Sequence, residues 1–240
     1  MANWPVMIVG MTLINNALNK TDRKNLWEYN LPKLRMGRGT EAVYEIQKKL
    51  KVKFSKEYEE FLIETDGWNC FFQEVDLFGT SDLEPDSDKM KRAMRMLERK
   101  MAKDSELRKM KGKLLPIGAS RDDDEGWLIL LVIKGRNFGK TICFCLDDPD
   151  DEGVCWDASF EDFFLSMMEL QREDLEQLMR EEIAAGRVPE TVWTSMEYPF
   201  QVMSKQHLED LRTGSERYYP MKFKGVSKII FEGEEDNRET

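Results

Sequence analysis

Residues 54–68, FSKEYEEFLIETDGW, constrain the fold more than any other stretch of this chain. Tyr58, Phe61 and Leu62 fall at i, i+3 and i+4 and share one helical face, while Glu59, Glu60 and Glu64 lie away from it. Ser55 stands at the N-cap, where its hydroxyl is expected to accept from a free backbone N–H. Glu57 sits in the first turn, where the helix dipole favours a carboxylate. Asp66 and Gly67 then stop the helix, because glycine takes the left-handed conformation at no steric cost. The stretch predicts a short amphipathic helix, closed sharply, with an aromatic directly behind it. None of these residues does chemistry; they build a corner of a scaffold.

A chain of 240 residues has room for one full core with appendages or for two small domains. Its 41% apolar content supports a globular core, and its net charge of −10 is unevenly spread. Between residues 86 and 113 eleven Lys/Arg face five Asp/Glu, a local +6, so the remainder carries −16. An acidic surface repels nucleic acid and anionic membrane and suits a basic protein partner better. Four cysteines, Cys70, Cys143, Cys145 and Cys155, do not make a disulfide scaffold in a chain this long. Cys143 and Cys145 share a strand face but have no matching second pair, so buried, reduced thiols are expected and no metal or other cofactor. The first residues lack the positive start and cleavage motif of a signal peptide, and no window approaches membrane-spanning length. A cytoplasmic protein is expected.

In chain order, a helix is expected over residues 12–29, placing Leu13, Ala17 and Leu18 together, with Pro32 and Gly37-Arg38-Gly39 ending it. A second runs over 40–50, capped by Thr40, with Val43, Ile46 and Leu50 on its buried face. After Trp68, residues 71–79 alternate like a strand and put Val75 and Leu77 on one face. Residues 87–110 read as one helix with a core-facing stripe of Met90, Ala93, Met94, Leu97 and Met101, its other faces basic. An antiparallel sheet follows. Residues 114–117 start a strand, 127–133 form a central strand covered on both faces, and 141–146 return after a glycine-containing turn. A short strand around 154–156 leads to Ser159-Phe160-Glu161-Asp162, which resembles a capping box. The helix it opens buries Phe160, Phe163, Phe164, Met167 and Met168 and stops at Gly186. In the remainder, a short helix over 205–211 and two strands over 218–223 and 226–231 are expected, then a disordered tail.

Few residues invite a catalytic role. The sole histidine, His207, has no surrounding nucleophile motif, and no phosphate-cradling glycine loop exists. The acidic loops are the remaining candidates: Asp122, Asp123, Asp124 and Glu125 in one, Asp148, Asp150, Asp151 and Glu152 in the other. Asp148, Asp150, Glu152 and Gly153 imitate the start of a calcium loop, but Ser159 stands where a closing Glu belongs. Two such loops on one small sheet are expected to form a docking patch for a basic protein, with Trp68, Trp127 and Trp156 as candidate aromatic anchors or, given their place at strand edges, core rings. The competing uses are a plain solvated surface and a metal-dependent hydrolase.

The order of these pieces resembles the SUKH superfamily of Smi/Knr-like proteins. The matching residues are Tyr58, Phe61 and Leu62, then Asp66-Gly67, Leu115-Pro116-Ile117-Gly118, the acidic loop with Gly126-Trp127, and finally Ser159, Phe160 and Phe163. Together they span about residues 40–170. Ser55 departs from the family's usual proline and Asp66 from its usual asparagine, and the basic helix is longer than the common insertion. The resemblance implies an α+β fold with a central, mainly antiparallel sheet flanked by helices, and no catalysis. It also implies a bacterial immunity protein that binds a cognate polymorphic toxin, often a nuclease. A regulatory scaffold, as in fungal members, is the alternative it leaves. The domains expected are a lead-in over 1–39, the family-like domain over 40–186 and an extension over 187–240.

Overall fold

The computed structural model describes residues 3–21, 33–72, 74–121, 126–146, 154–186 and 213. Its backbone falls into two units, one of residues 27–164 and one of residues 1–26 with 165–240. In the first unit the strands pair in the order in which they occur. They are β1 (Lys33–Leu34), β2 (Trp68–Phe72), β3 (Val75–Leu77), β4 (Leu114–Ser120), β5 (Trp127–Val132), β6 (Lys140–Cys145) and β7 (Val154–Ser159), every neighbour antiparallel. With helices this makes the α+β class expected from the sequence. The run over 71–79 divides between two strands, β2 ending at Phe72 and β3 starting at Val75. Asp76 is buried along with Val75 and Leu77, so alternation there marks no solvent face. β5 is covered on both faces, as its unbroken apolar run requires: Leu128 to Val132 are all buried.

Helices α2 (Gly39–Leu50) and α3 (Lys56–Glu64) precede β2 and pack on each other. Arg38, not Thr40, is the cap position of α2, and of the expected face Val43 and Ile46 are buried while Leu50 is partly exposed. α3 delivers Tyr58, Phe61 and Leu62 to the core as its spacing predicts. Those rings meet the start of α6 (Phe160–Ala184): Phe160 lies 5.0 Å from Tyr58 and 5.1 Å from Phe61, centroid to centroid. Trp68 and Phe71 close the cluster against Phe164. Offset and edge contacts of this kind add to the area each ring buries. The capping box holds: the Ser159 amide donates to Asp162 Oδ2 and the Asp162 amide donates to Ser159 Oγ, both at 3.2 Å.

α4 (Asp88–Lys103) and α5 (Ser105–Lys109) replace the single helix expected over 87–110. Asp104 accepts from the amides of Glu106 and Leu107, so it caps a new helix at the point where the old one ends. α4 packs on β4 and β5. Its buried stripe is Met90, Ala93, Met96, Leu97 and Met101, whereas Met94 is exposed. Helical spacing accommodates either neighbour of the stripe; only the docking of α4 on the sheet selects between them. Met96→Ala is therefore expected to cost about 2 kcal/mol, and Met94→Ala to stay within about 0.5 kcal/mol. Urea denaturation reads both, and equal losses would place the stripe elsewhere.

In the second unit α1 (Trp4–Thr21) starts earlier than the helix expected over 12–29. Pro5 does not oppose this, because in a first turn its missing N–H has no partner to lose. Asn3 serves as the cap, its side-chain oxygen accepting from the Val6 amide at 3.4 Å. Trp4, Met7, Met11, Ile14 and Leu18 form the buried stripe, Ala17 joins it, and Leu13 is only partly covered. The rest of α6 belongs to this unit. It buries Met167, Met168, Leu175, Leu178 and Met179 and ends before Gly186, as expected. The expected elements over 205–211, 218–223 and 226–231, and the tail, lie outside the described residues, as do residues 22–32.

Candidate functional site

Strand pairing brings together what the sequence separates. Val75 pairs with Ser120 and Trp127 with Cys145, so the β2–β3 turn, the β4–β5 loop and the β6–β7 loop all leave from one end of the sheet. In sequence these connections (73–74, 121–126 and 146–153) carry ten carboxylates and one cation, Arg121. Asp122, Asp123, Asp124, Glu125, Asp148, Asp150, Asp151 and Glu152 themselves lie outside the described residues; their stems do not. The Leu146 amide donates to the Gly126 carbonyl at 2.7 Å, and the Trp127 amide donates to Ser120 Oγ at 2.8 Å. The two expected loops therefore spring from neighbouring, hydrogen-bonded roots.

Arg121 ties the first of these roots to a charged network under the β1–β3 edge. Its guanidinium donates to Cys70 Sγ at 2.7 Å and lies 3.5 Å from Asp76 Oδ1. Asp76, 2% exposed, also accepts from the Cys70 amide at 2.8 Å and pairs with Lys89 at 2.9 Å. Lys89 reaches Asn69 Oδ1 at 3.1 Å, which also accepts from Arg35, and Arg35 pairs with Asp82. Asp66 is equally buried. It accepts from the amide and hydroxyl of Thr80 at 2.6 and 2.8 Å and pairs with Arg38 at 3.1 Å. Its place beyond the helix thus serves long-range pairing as well as the turn. These carboxylates are satisfied by hydrogen bonds and cations, the condition for keeping charge under a sheet edge.

Ser55 and Trp68 have structural surroundings that differ from a capping bond and an exposed anchor. Ser55 occupies the N-cap, yet makes no side-chain capping bond, and its buried hydroxyl finds no partner among the described residues. Trp68, 1% exposed, stands in the core with Phe71 and Phe164, and its indole N–H is likewise unpartnered there. Trp127 is the ring beside the acidic roots: half-buried, it packs edge-on against Phe72 at 6.1 Å. The side chain of Trp156 lies outside the described residues. The residues missed from sequence are Arg121, Ser120 and Glu74. Nothing local marked them, since each acquires its place through strand pairing.

Burial raises the Cys70 thiol above its ordinary range, with Arg121 opposing the shift and Asp76 adding to it. Burial also holds the Tyr58 phenol well above its usual value, with Asp82 and Asp66 adding to the shift. Both groups stay neutral in the fold at pH values where the unfolded chain has lost those protons. The unfolded state then binds fewer protons, so stability falls as pH rises, beginning near about 8.5 for the thiol and about 10 for the phenol. Urea midpoints are expected to decline above that onset, and less steeply in Cys70→Ala between pH 8 and 10. An unchanged slope in the variant would contradict the assignment.

Among the described residues no group of three or more His, Cys, Asp or Glu is placed to hold a metal ion, and no helix is long and apolar enough to cross a membrane. The calcium-like run from Asp148 lies outside them. What the described geometry supplies is a set of neighbouring, hydrogen-bonded roots from which the acidic loops leave. A family model described as SMI1 / KNR4 family (SUKH-1) matches residues 40–166, just over half of the 240 residues. No curated protein matches the chain.

Proposed function

Because the chain belongs to the SMI1 / KNR4 family (SUKH-1), we propose that it is a non-catalytic immunity protein of the bacterial cytoplasm that binds and neutralises a cognate toxin. The toxin is a basic protein, with a nuclease domain the chemistry that fits best. Nucleases carry cations to hold phosphates, so an acidic surface is steered onto them and competes for the same groups. One observation carries the proposal: three neighbouring connections at one sheet end hold ten carboxylates in sequence against the single Arg121. The contact residues proposed are Asp122, Asp123, Asp124, Glu125, Asp148, Asp150, Asp151 and Glu152. Trp127 at their root replaces the core residue Trp68 as the aromatic neighbour.

Co-expression tests it. The toxin domain encoded beside this gene is expected to arrest growth alone, and this chain to restore growth and co-elute with it. A pair that neither co-elutes nor restores growth contradicts the proposal for that toxin.

A further inference from the structure

The other end of the sheet has the opposite charge. The Ile133 amide donates to the Lys113 carbonyl at 2.8 Å, and Leu114 pairs with Val132, so the segment before β4 lies beside the β5–β6 turn. Residues 110–113 and 133–140 bring five cations and no carboxylate to this tip. Four of them, Lys111, Lys113, Lys134 and Arg136, are exposed and have no ion-pair partner among the described residues. Phe138, 42% exposed, stands in the same turn as Lys134 and Arg136, its amide donating to the Gly135 carbonyl at 3.2 Å. The six-residue strand β5 separates this tip from the acidic roots by about 20 Å, more than two screening lengths of about 8 Å at physiological salt. The tip therefore acts as a positive surface in spite of the chain's net negative charge.

We infer that this cationic tip is a second docking site, and that its occupant is a short acidic segment of a protein partner with an apolar residue that covers Phe138. A bilayer needs deeper apolar insertion than one ring provides. Single-stranded nucleic acid needs a groove with successive stacking rings, and here one ring stands on a projecting turn. An exposed ring on a turn that carries cations is what a compact acidic peptide requires. The site is distinct from the acidic end, so both can be filled at once.

Fluorescence anisotropy with the full chain tests this, using a dye-labelled Glu/Asp-rich peptide with one central Phe. A single-stranded oligonucleotide and phosphatidylserine vesicles serve as competing probes. The peptide is expected to bind and to weaken with salt. Lys111→Glu, Lys113→Glu, Lys134→Glu and Arg136→Glu together are expected to weaken it at least ~10-fold, and Phe138→Ala at least ~3-fold. All five positions are exposed, and the Gln versions of the four cations provide a second, milder series. No peptide binding, or binding that the four reversals leave unchanged, overturns the inference. So does tighter capture of the oligonucleotide or the vesicles through the same residues.

Discussion

Gly67→Ala is expected to lose about 4 kcal/mol or more, enough to leave little native protein, because two penalties coincide at this residue. Its φ of +85° lies in the left-handed region, where a side chain alone costs about 1–2 kcal/mol. A Cβ there would also overlap the Gly79 amide nitrogen and come 2.8 Å from the Leu77 carbonyl oxygen. Both are backbone atoms of the segment that carries β3 out of the sheet, so no side chain can swing aside. Gly79 repeats the constraint from the other side, since its own Cβ would overlap the Asp66 carbonyl. Gly135→Ala separates the two effects: φ is +93° but nothing lies within 4 Å. That variant is expected to lose only the torsional part, about 1–2 kcal/mol. Equal urea midpoints for the two variants would show that the backbone crossing is looser than described.

Asp76→Ala is expected to cost about 3 kcal/mol, with a fall in Tm of roughly 10 °C. The substitution strands the buried Cys70 amide and removes a counter-charge from Lys89 and Arg121. Lys89 keeps Asn69, and Arg121 is partly exposed, so solvent recovers part of the loss. The amide cannot recover in this way. It belongs to a non-glycine residue at φ +53°, and its bond to Asp76 helps to hold that conformation inside β2. Asp76→Asn retains an acceptor for the amide and is expected to lose about half as much. Hydrogen exchange should localise the damage to β1–β3; protection lost uniformly across β4–β6 would argue against a local role.

Local patterns disclosed the elements but not the partners they meet. Tyr58, Phe61 and Phe160 were legible because an aromatic at helical spacing has few uses other than a core. The Ser159–Asp162 box was legible because its chemistry closes within four residues. Met94 was misplaced and Met96 missed because periodicity fixes a stripe's pitch and not which of its edges meets the sheet. Asp66 looked like a turn residue, although its partners Arg38 and Thr80 lie 28 and 14 positions away. Arg35 and Asp82 are 47 apart. No window of sequence contains such a network. The same holds for the candidate site. Each acidic loop was visible by composition, but that their roots are neighbours, with a cationic tip at the far end, follows only from strand order.

The most direct measurement is the association rate of this chain with its toxin domain, by stopped-flow at low and high salt. Three forms are compared: unmodified, neutralised at Asp122, Asp123, Asp124 and Glu125, and reversed at the cationic tip. The acidic-end account predicts a rate that falls with salt, falls again by roughly 10-fold in the loop variant at low salt, and is not slowed by the tip variant. A rate indifferent to the loop carboxylates, or slowed only by the tip reversal, would contradict recognition at the acidic end.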